Sequence, residues 1–204
     1  MAKAKFDRTE VVDAAMQLFW QRGYQAASMQ DVFQATGLQP GSLYNAFGSK
    51  AGLFEEALRY YSKTSFENLT KELSEASSID IGICNVLLRM MREAQETEYC
   101  SCFLVKSQLE LKSSGDDALA TVVVEQLKHF EDLFAEALQT SESPEESKGK
   151  TTSVLLNLFG IRVYGYLGQG YEHMLNGVRT SLPWLPWEEA LNLPVNAYPA
   201  AVIQ

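Results

Sequence analysis

Apolar residues recur every three or four positions along almost the whole chain. Val11, Ala14, Ala15, Leu18 and Phe19 set the pattern and predict an amphipathic helix over about 7–22, closed by Gly23. Ser28, followed three residues later by Asp31, has the spacing of a capping box, with Asp in place of Glu. It predicts a short helix over about 28–35 that stops at Gly37. Pro40 suits the first turn of a third helix, about 39–46, closed by Gly48. Ser49 can cap a longer helix from 50 to about 74, with Leu53, Phe54, Ala57, Leu58 and Tyr61 on one face. The same periodicity predicts helices near 79–95, 102–112, 116–139, 145–168 and 171–181. The breaks fall at Ser74–Ser78, Ser113-Ser114-Gly115, Thr140–Pro144 and Gly168-Gln169-Gly170. The end of the chain holds four of the six prolines and reads as a partly ordered tail with one helical turn at 187–192. No Val/Ile/Thr alternation between turn pairs suggests a sheet. The expected fold class is all-α.

Composition narrows the function. Hydrophobic residues make up 46% of 204, enough for a packed core. No apolar run approaches the ~20 residues of a membrane span, and the first residues lack the apolar core of a secretory signal. The cytoplasm is the expected location, with no membrane partner. The cysteines are Cys84, Cys100 and Cys102, and the histidines are His129 and His173. They match neither a disulfide framework nor a familiar metal spacing, so no cofactor or metal is expected. The net charge of −9 is unevenly spread. Residues 1–50 carry Lys3, Lys5, Arg8, Arg22 and Lys50 against Asp7, Glu10, Asp13 and Asp31, whereas the rest is strongly acidic. A near-neutral head could meet a polyanion that the acidic body would repel.

Two short helices joined by a glycine-containing turn, with a first helix across them, describe a helix-turn-helix unit. The second helix of such a unit enters the major groove by its N-terminal end. Here that end presents Gln39, Pro40, Ser42 and Leu43. Glutamine can pair with adenine, serine with either base edge, and leucine with a thymine methyl. Tyr44, Asn45 and Lys50 suit phosphate contacts. Ser28 sits at a helix start, where exposed N–H groups attract phosphate. The same residues admit a plainer reading: Tyr44 and Phe47 as core aromatics, Leu43 packed inward, and Lys50 as a solvated charge.

The stretch from Phe6 to Phe54 resembles the DNA-binding region of the TetR family of transcriptional repressors. The resemblance rests on Ala14-Ala15, Leu18-Phe19, Gly23-Tyr24, Ala27-Ser28-Met29, Asp31, Gly37-Leu38, Gly41-Ser42-Leu43-Tyr44, Phe47, Ser49-Lys50 and Leu53-Phe54. It implies about nine helices, with a helix-turn-helix domain at 1–50 and a ligand-binding and dimerisation domain at 51–204. It also implies a homodimer on a palindromic double-stranded DNA operator, released by an unknown small-molecule effector. Pro40 and Ala46 stand where many members carry lysine and histidine, so fewer ionic contacts are expected. Gln39 and Asn45 become the candidates for what distinguishes this operator, and Lys3, Lys5 and Arg8 for a short arm.

By the same resemblance, the last two long helices would pair with their dimer mates. The expected interface residues are Leu155, Phe159, Val163 and Leu167, with Tyr171, Met174, Leu175 and Val178. Ligand pockets are mostly apolar with a few placed polar groups. The candidates for lining one are Phe66, Met90, Met91, Cys102, Phe103, Gln108, Phe130, Phe134, Tyr164 and Trp184. Cys102 resembles a cysteine that begins the sixth helix in related regulators, sometimes as a thiol sensor. A helix N-terminus favours a thiolate, although buried cysteine is usually inert packing. Two other classes stay open: a helical interaction module that has lost DNA binding, and a small enzyme. No nucleophile elbow, phosphate loop or paired His/carboxylate motif supports the enzyme.

Overall fold

The computed structural model describes residues 6–97, 99–139 and 143–193. These residues form ten α-helices and one 3-10 turn, with no strand among them. The helices are α1 (Arg8–Arg22), α2 (Met29–Thr36), α3 (Pro40–Phe47), α4 (Lys50–Glu75), α5 (Ile79–Glu93), α6 (Phe103–Ser114), α7 (Asp117–Gln139), α8 (Pro144–Tyr164), α9 (Tyr171–Ser181) and α10 (Trp187–Leu191); the 3-10 turn is Gly165–Leu167. The expected all-α class holds, and the boundaries follow local chemistry. Asp7 accepts the N–H groups of Thr9 and Glu10 to open α1. Ser78 caps α5 through the N–H of Ile81. Ser143 caps α8 through Glu146, with Pro144 in the first turn.

Two compact units divide the chain. The first comprises the residues up to Thr64 together with Cys102–Leu127, so it takes in α6 as well as the head. This differs from a boundary at residue 50. A cluster of aromatic rings runs through its otherwise mainly aliphatic core. Phe54 meets Phe19 edge-on at 5.1 Å and Phe103 at 5.6 Å, and Tyr61 meets Phe103 at 5.7 Å and Trp20 at 5.3 Å. Such edge-to-face pairs add to plain burial.

The second unit comprises Ser65–Ser101 and the residues from Lys128 onward. Residues 81–88 of α5 are all buried. α8, α9 and α10 pack against α5. Four charges cluster here, Glu72 buried and the other three part-buried: Arg89 pairs with Glu72 at 2.9 Å and Glu93 at 2.5 Å, and Glu93 also takes Arg162 at 2.8 Å. The proline-rich end corrects the expectation of a partly ordered tail as far as Leu193. Leu182, Leu185, Trp187 and Ala190 are buried in the core, and the Trp187 indole N–H donates to the Leu182 carbonyl at 2.9 Å. Residues 194–204 lie outside the described residues.

The expected interface residues are split by the packing. Leu155, Met174, Leu175 and Val178 belong to this unit's own core, a correction that follows from α8 and α9 turning those faces onto α5. Phe159 and Tyr171 pack partly against that core. Val163 and Leu167 face outward with Leu156.

Candidate nucleic-acid interface

The helix-turn-helix geometry is set by short-range chemistry. Ser28 Oγ accepts from the Asp31 N–H at 3.1 Å, and the Asp31 carboxylate accepts from the Ser28 N–H at 2.9 Å. The capping box expected from sequence is therefore closed. Hydrogen bonds from the Ser28 hydroxyl and N–H, and then Arg22, hold the Asp31 carboxyl below its ordinary range. Gly37 ends α2, and Pro40 opens α3 after Gln39, whose side chain is not spent on capping. Leu43 and Phe47 are buried and fasten α3 to the head. Leu43 was expected at the bases; with no exposed surface it is instead the anchor of the helix. Gln39, Pro40, Ser42, Tyr44 and Asn45 all lie exposed. Tyr44 is 48% exposed and rests edge-on against Phe33 at 6.5 Å.

An open groove at the α2–α3 turn is lined by Gln30, Phe33, Gln34, Gly37, Leu38, Gln39 and Pro40. Gln30 and Gln34 were missed in the sequence. Their signal was available, since both lie on the polar face of α2 opposite the buried Val32. The cations are mostly engaged. Arg22 pairs with Asp31 at 2.6 Å, Arg59 with Glu55 at 2.9 Å, and Arg8 with Glu56. Arg8 also lies over the Phe47 ring at 4.3 Å, which holds it to the head rather than in an arm. Lys3 and Lys5 lie outside the described residues. Lys50 sits at the start of α4, its ammonium 4.6 Å from the centre of the Tyr24 ring. The surface is thus rich in amides and hydroxyls and sparing in unpaired charge.

Residues 11–57 match the family described as "Bacterial regulatory proteins, tetR family". The chain is 26% identical to CifR, a TetR family transcriptional regulator solved as a cysteine mutant with 26-bp double-strand operator DNA; the TM-score is 0.74, covering 91% of this chain and 100% of that one. The head of the chain is thus similar to the DNA-binding part of TetR-family regulators. Among curated relatives, ComR of Escherichia coli K12, an HTH-type transcriptional repressor, is 30% identical over 120 residues. That match covers 57% of this chain and 57% of ComR, so the chain spans little more than half the length of this relative. YezE of Bacillus subtilis 168, an uncharacterised HTH-type regulator, is 26% identical over 151 residues, 74% of this chain and 77% of that one. These relatives are regulators rather than enzymes. No helix among the described residues is long and apolar enough to cross a membrane.

The pocket residues expected of a TetR-family body are dispersed. Phe103 belongs to the first unit, packed against Phe54 and Tyr61, so it is a core residue rather than a pocket wall. Cys102 is the N-cap of α6 and half-buried, as expected from its position. Gln108, also in α6, has its buried Oε1 without a hydrogen-bond partner. The other candidates lie in the second unit. Met91 and Phe134 are buried in its core, with Met90, Phe130 and Trp184 packed around it. Phe66 meets Phe130 edge-on at 6.0 Å, and Lys150 covers the Trp184 ring at 4.4 Å. Tyr164 is corrected to the surface, where it is 40% exposed and stacks on His173.

Proposed function

We propose that the chain is a DNA-binding transcriptional repressor acting as a homodimer on a palindromic operator and released by a small molecule. The observation that carries this reading is α3. Buried Leu43 and Phe47 fix the helix, while Gln39, Pro40, Ser42, Tyr44 and Asn45 stand exposed along its other side. Gln39 and Ser42 read base edges at its N-terminal end, and Tyr44, Asn45 and Lys50 meet the backbone. Two copies place two such helices one helical turn of DNA apart, about 34–36 Å. The apolar residues left exposed on α8 supply the surface on which two copies meet. The effector acts by binding more tightly to the form with the wrong spacing. The CifR complex, in which a relative holds 26-bp operator DNA, supports the DNA partner.

The test is nuclease protection across the promoter beside the protein's own gene, repeated over a range of salt. Protection of two symmetric half-sites, weakening as salt rises, is the expected result. A dimer that protects no DNA even at low salt would instead favour a helical interaction module.

A further inference from the structure

The carboxylate of Glu110, on α6, reaches the turn that follows α1. Its Oε2 accepts from the Tyr24 N–H at 3.0 Å and its Oε1 from the Gln25 N–H at 2.7 Å. One helical turn earlier, the Lys106 ammonium donates to the Trp20 carbonyl at 2.5 Å. α6 thus supplies an acceptor for the N–H groups beyond the end of α1 and a donor for a carbonyl within its last turn. The turn is shaped for the fork. Gly23 has φ +86°, and a Cβ there would sit 3.0 Å from one Glu110 oxygen and 3.1 Å from the other. A side chain at this position would meet both backbone strain and the carboxylate.

The fixed turn carries Tyr24. Its ring packs 4.5 Å from Phe54 and lies beneath the Lys50 ammonium at 4.6 Å. Burial pushes the Lys50 ammonium pKa down, while the carboxylates of Glu110 and Asp31 push it up. Burial, Asp116 and Glu110 push the Tyr24 phenol up. Glu110 is therefore within electrostatic reach of both members of the cation–aromatic pair.

We propose that Glu110 is a positioning residue for DNA binding: its carboxylate fork fixes the α1–α2 turn and, through the Tyr24 ring, sets Lys50 at the start of α4, just after the recognition helix. The proposal rests on the reading of the chain as a DNA-binding regulator. Glu110 touches no DNA in this scheme. It replaces the water that would otherwise solvate two N–H groups and leave the Tyr24 turn loose.

A double-mutant cycle on DNA affinity tests it, with a duplex selected from a random-sequence pool by the unaltered full chain. Glu110→Gln keeps the length and loses one acceptor, and Glu110→Asp keeps the charge and withdraws the oxygens. Each is expected to weaken binding about tenfold in the native background and less than about twofold when Lys50→Ala is already present, because residues that act through one another are not additive. Lys106→Ala is the control: it loosens α1 without touching the turn, and its effect should be equal in both backgrounds. Thermal unfolding of each variant separates loss of fold from loss of placement, and Glu110→Asp serves where Glu110→Gln unfolds. Equal losses for the Glu110 variants in both backgrounds, or native affinity in either single variant, would overturn the proposal while leaving the regulator reading intact. Failure of the unaltered chain to select any duplex would overturn that reading, and the proposal with it.

Discussion

At the scale of single residues, most of the candidate interface is held by groups that never face it. Leu43 and Phe47 are apolar anchors, and the residues between and before them inherit their exposure from the helical period. Lys50 differs, because the arginines of the head are all paired with carboxylates. Its substitution should therefore appear in salt dependence more clearly than in sequence preference. Each ionic phosphate contact contributes about −0.9 to the slope of log K against log salt, so Lys50→Ala in both copies of a dimer should flatten it by about 2. The same titration with Gln39→Ala should shift the preferred half-site sequence and leave the slope as it was. Cys84 is at the other extreme. Burial, Asp80 and Glu189 push its thiol up to about 12, which makes it packing rather than chemistry.

At the scale of elements, one glycine decides how α4 leaves α3. A Cβ on Gly52 would lie 2.1 Å from the Phe47 carbonyl oxygen, a backbone atom with little room to give. Intrinsic helix propensity alone favours Gly52→Ala. The packing predicts the opposite: a loss of about 1–3 kcal/mol in denaturant unfolding. The caps were legible in the sequence because they are local. Ser28 with Asp31, Pro40 and the glycines at helix ends act within four residues of themselves. The Glu110 fork was not, since its partners lie 85 and 86 positions away and no periodicity encodes that meeting. Nor was the part-buried charge network. Arg162 and Arg89 outweigh burial and hold the Glu93 carboxyl below its ordinary range, whereas burial outweighs Arg89 and raises Glu72. Glu93 therefore gives stability that is present above the ordinary carboxyl value of 4.5 and lost as pH falls through its lower value in the fold. Glu72 has the opposite sign, being easier to protonate in place. Thermal melts at neutral pH should show Glu93→Gln costing about 3 kcal/mol, the penalty of breaking a buried pair, and Glu72→Gln costing less.

At the scale of the whole molecule, α8 shows why the direction of a helix face is hard to read from sequence. Its second half is apolar nearly all round, so spacing alone does not separate the side that covers its own core from the side left outside. The structure does separate them. Leu155 and Leu158 are buried, while Leu156 is 68%, Val163 51% and Leu167 63% exposed. Those three are spaced by seven and four residues and follow one side of the helix and its 3-10 extension, an arrangement that a two-fold symmetric contact can use twice. Acidic substitutions at Leu156, Val163 and Leu167 should leave the protomer folded, since these side chains contribute little to its core. Sedimentation should then report a monomer, and DNA affinity should fall steeply, because a lone copy presents one half-site reader. Leu175→Ala should behave in the reverse way. It removes a buried side chain and should cost the fold about 2–5 kcal/mol, yet below its melting temperature the sedimentation coefficient should stay that of the dimer. If instead Leu175→Ala dissociated the assembly and the acidic α8 variants did not, the inward face of α9 would be the true contact, and the proposed dimer surface would be wrong.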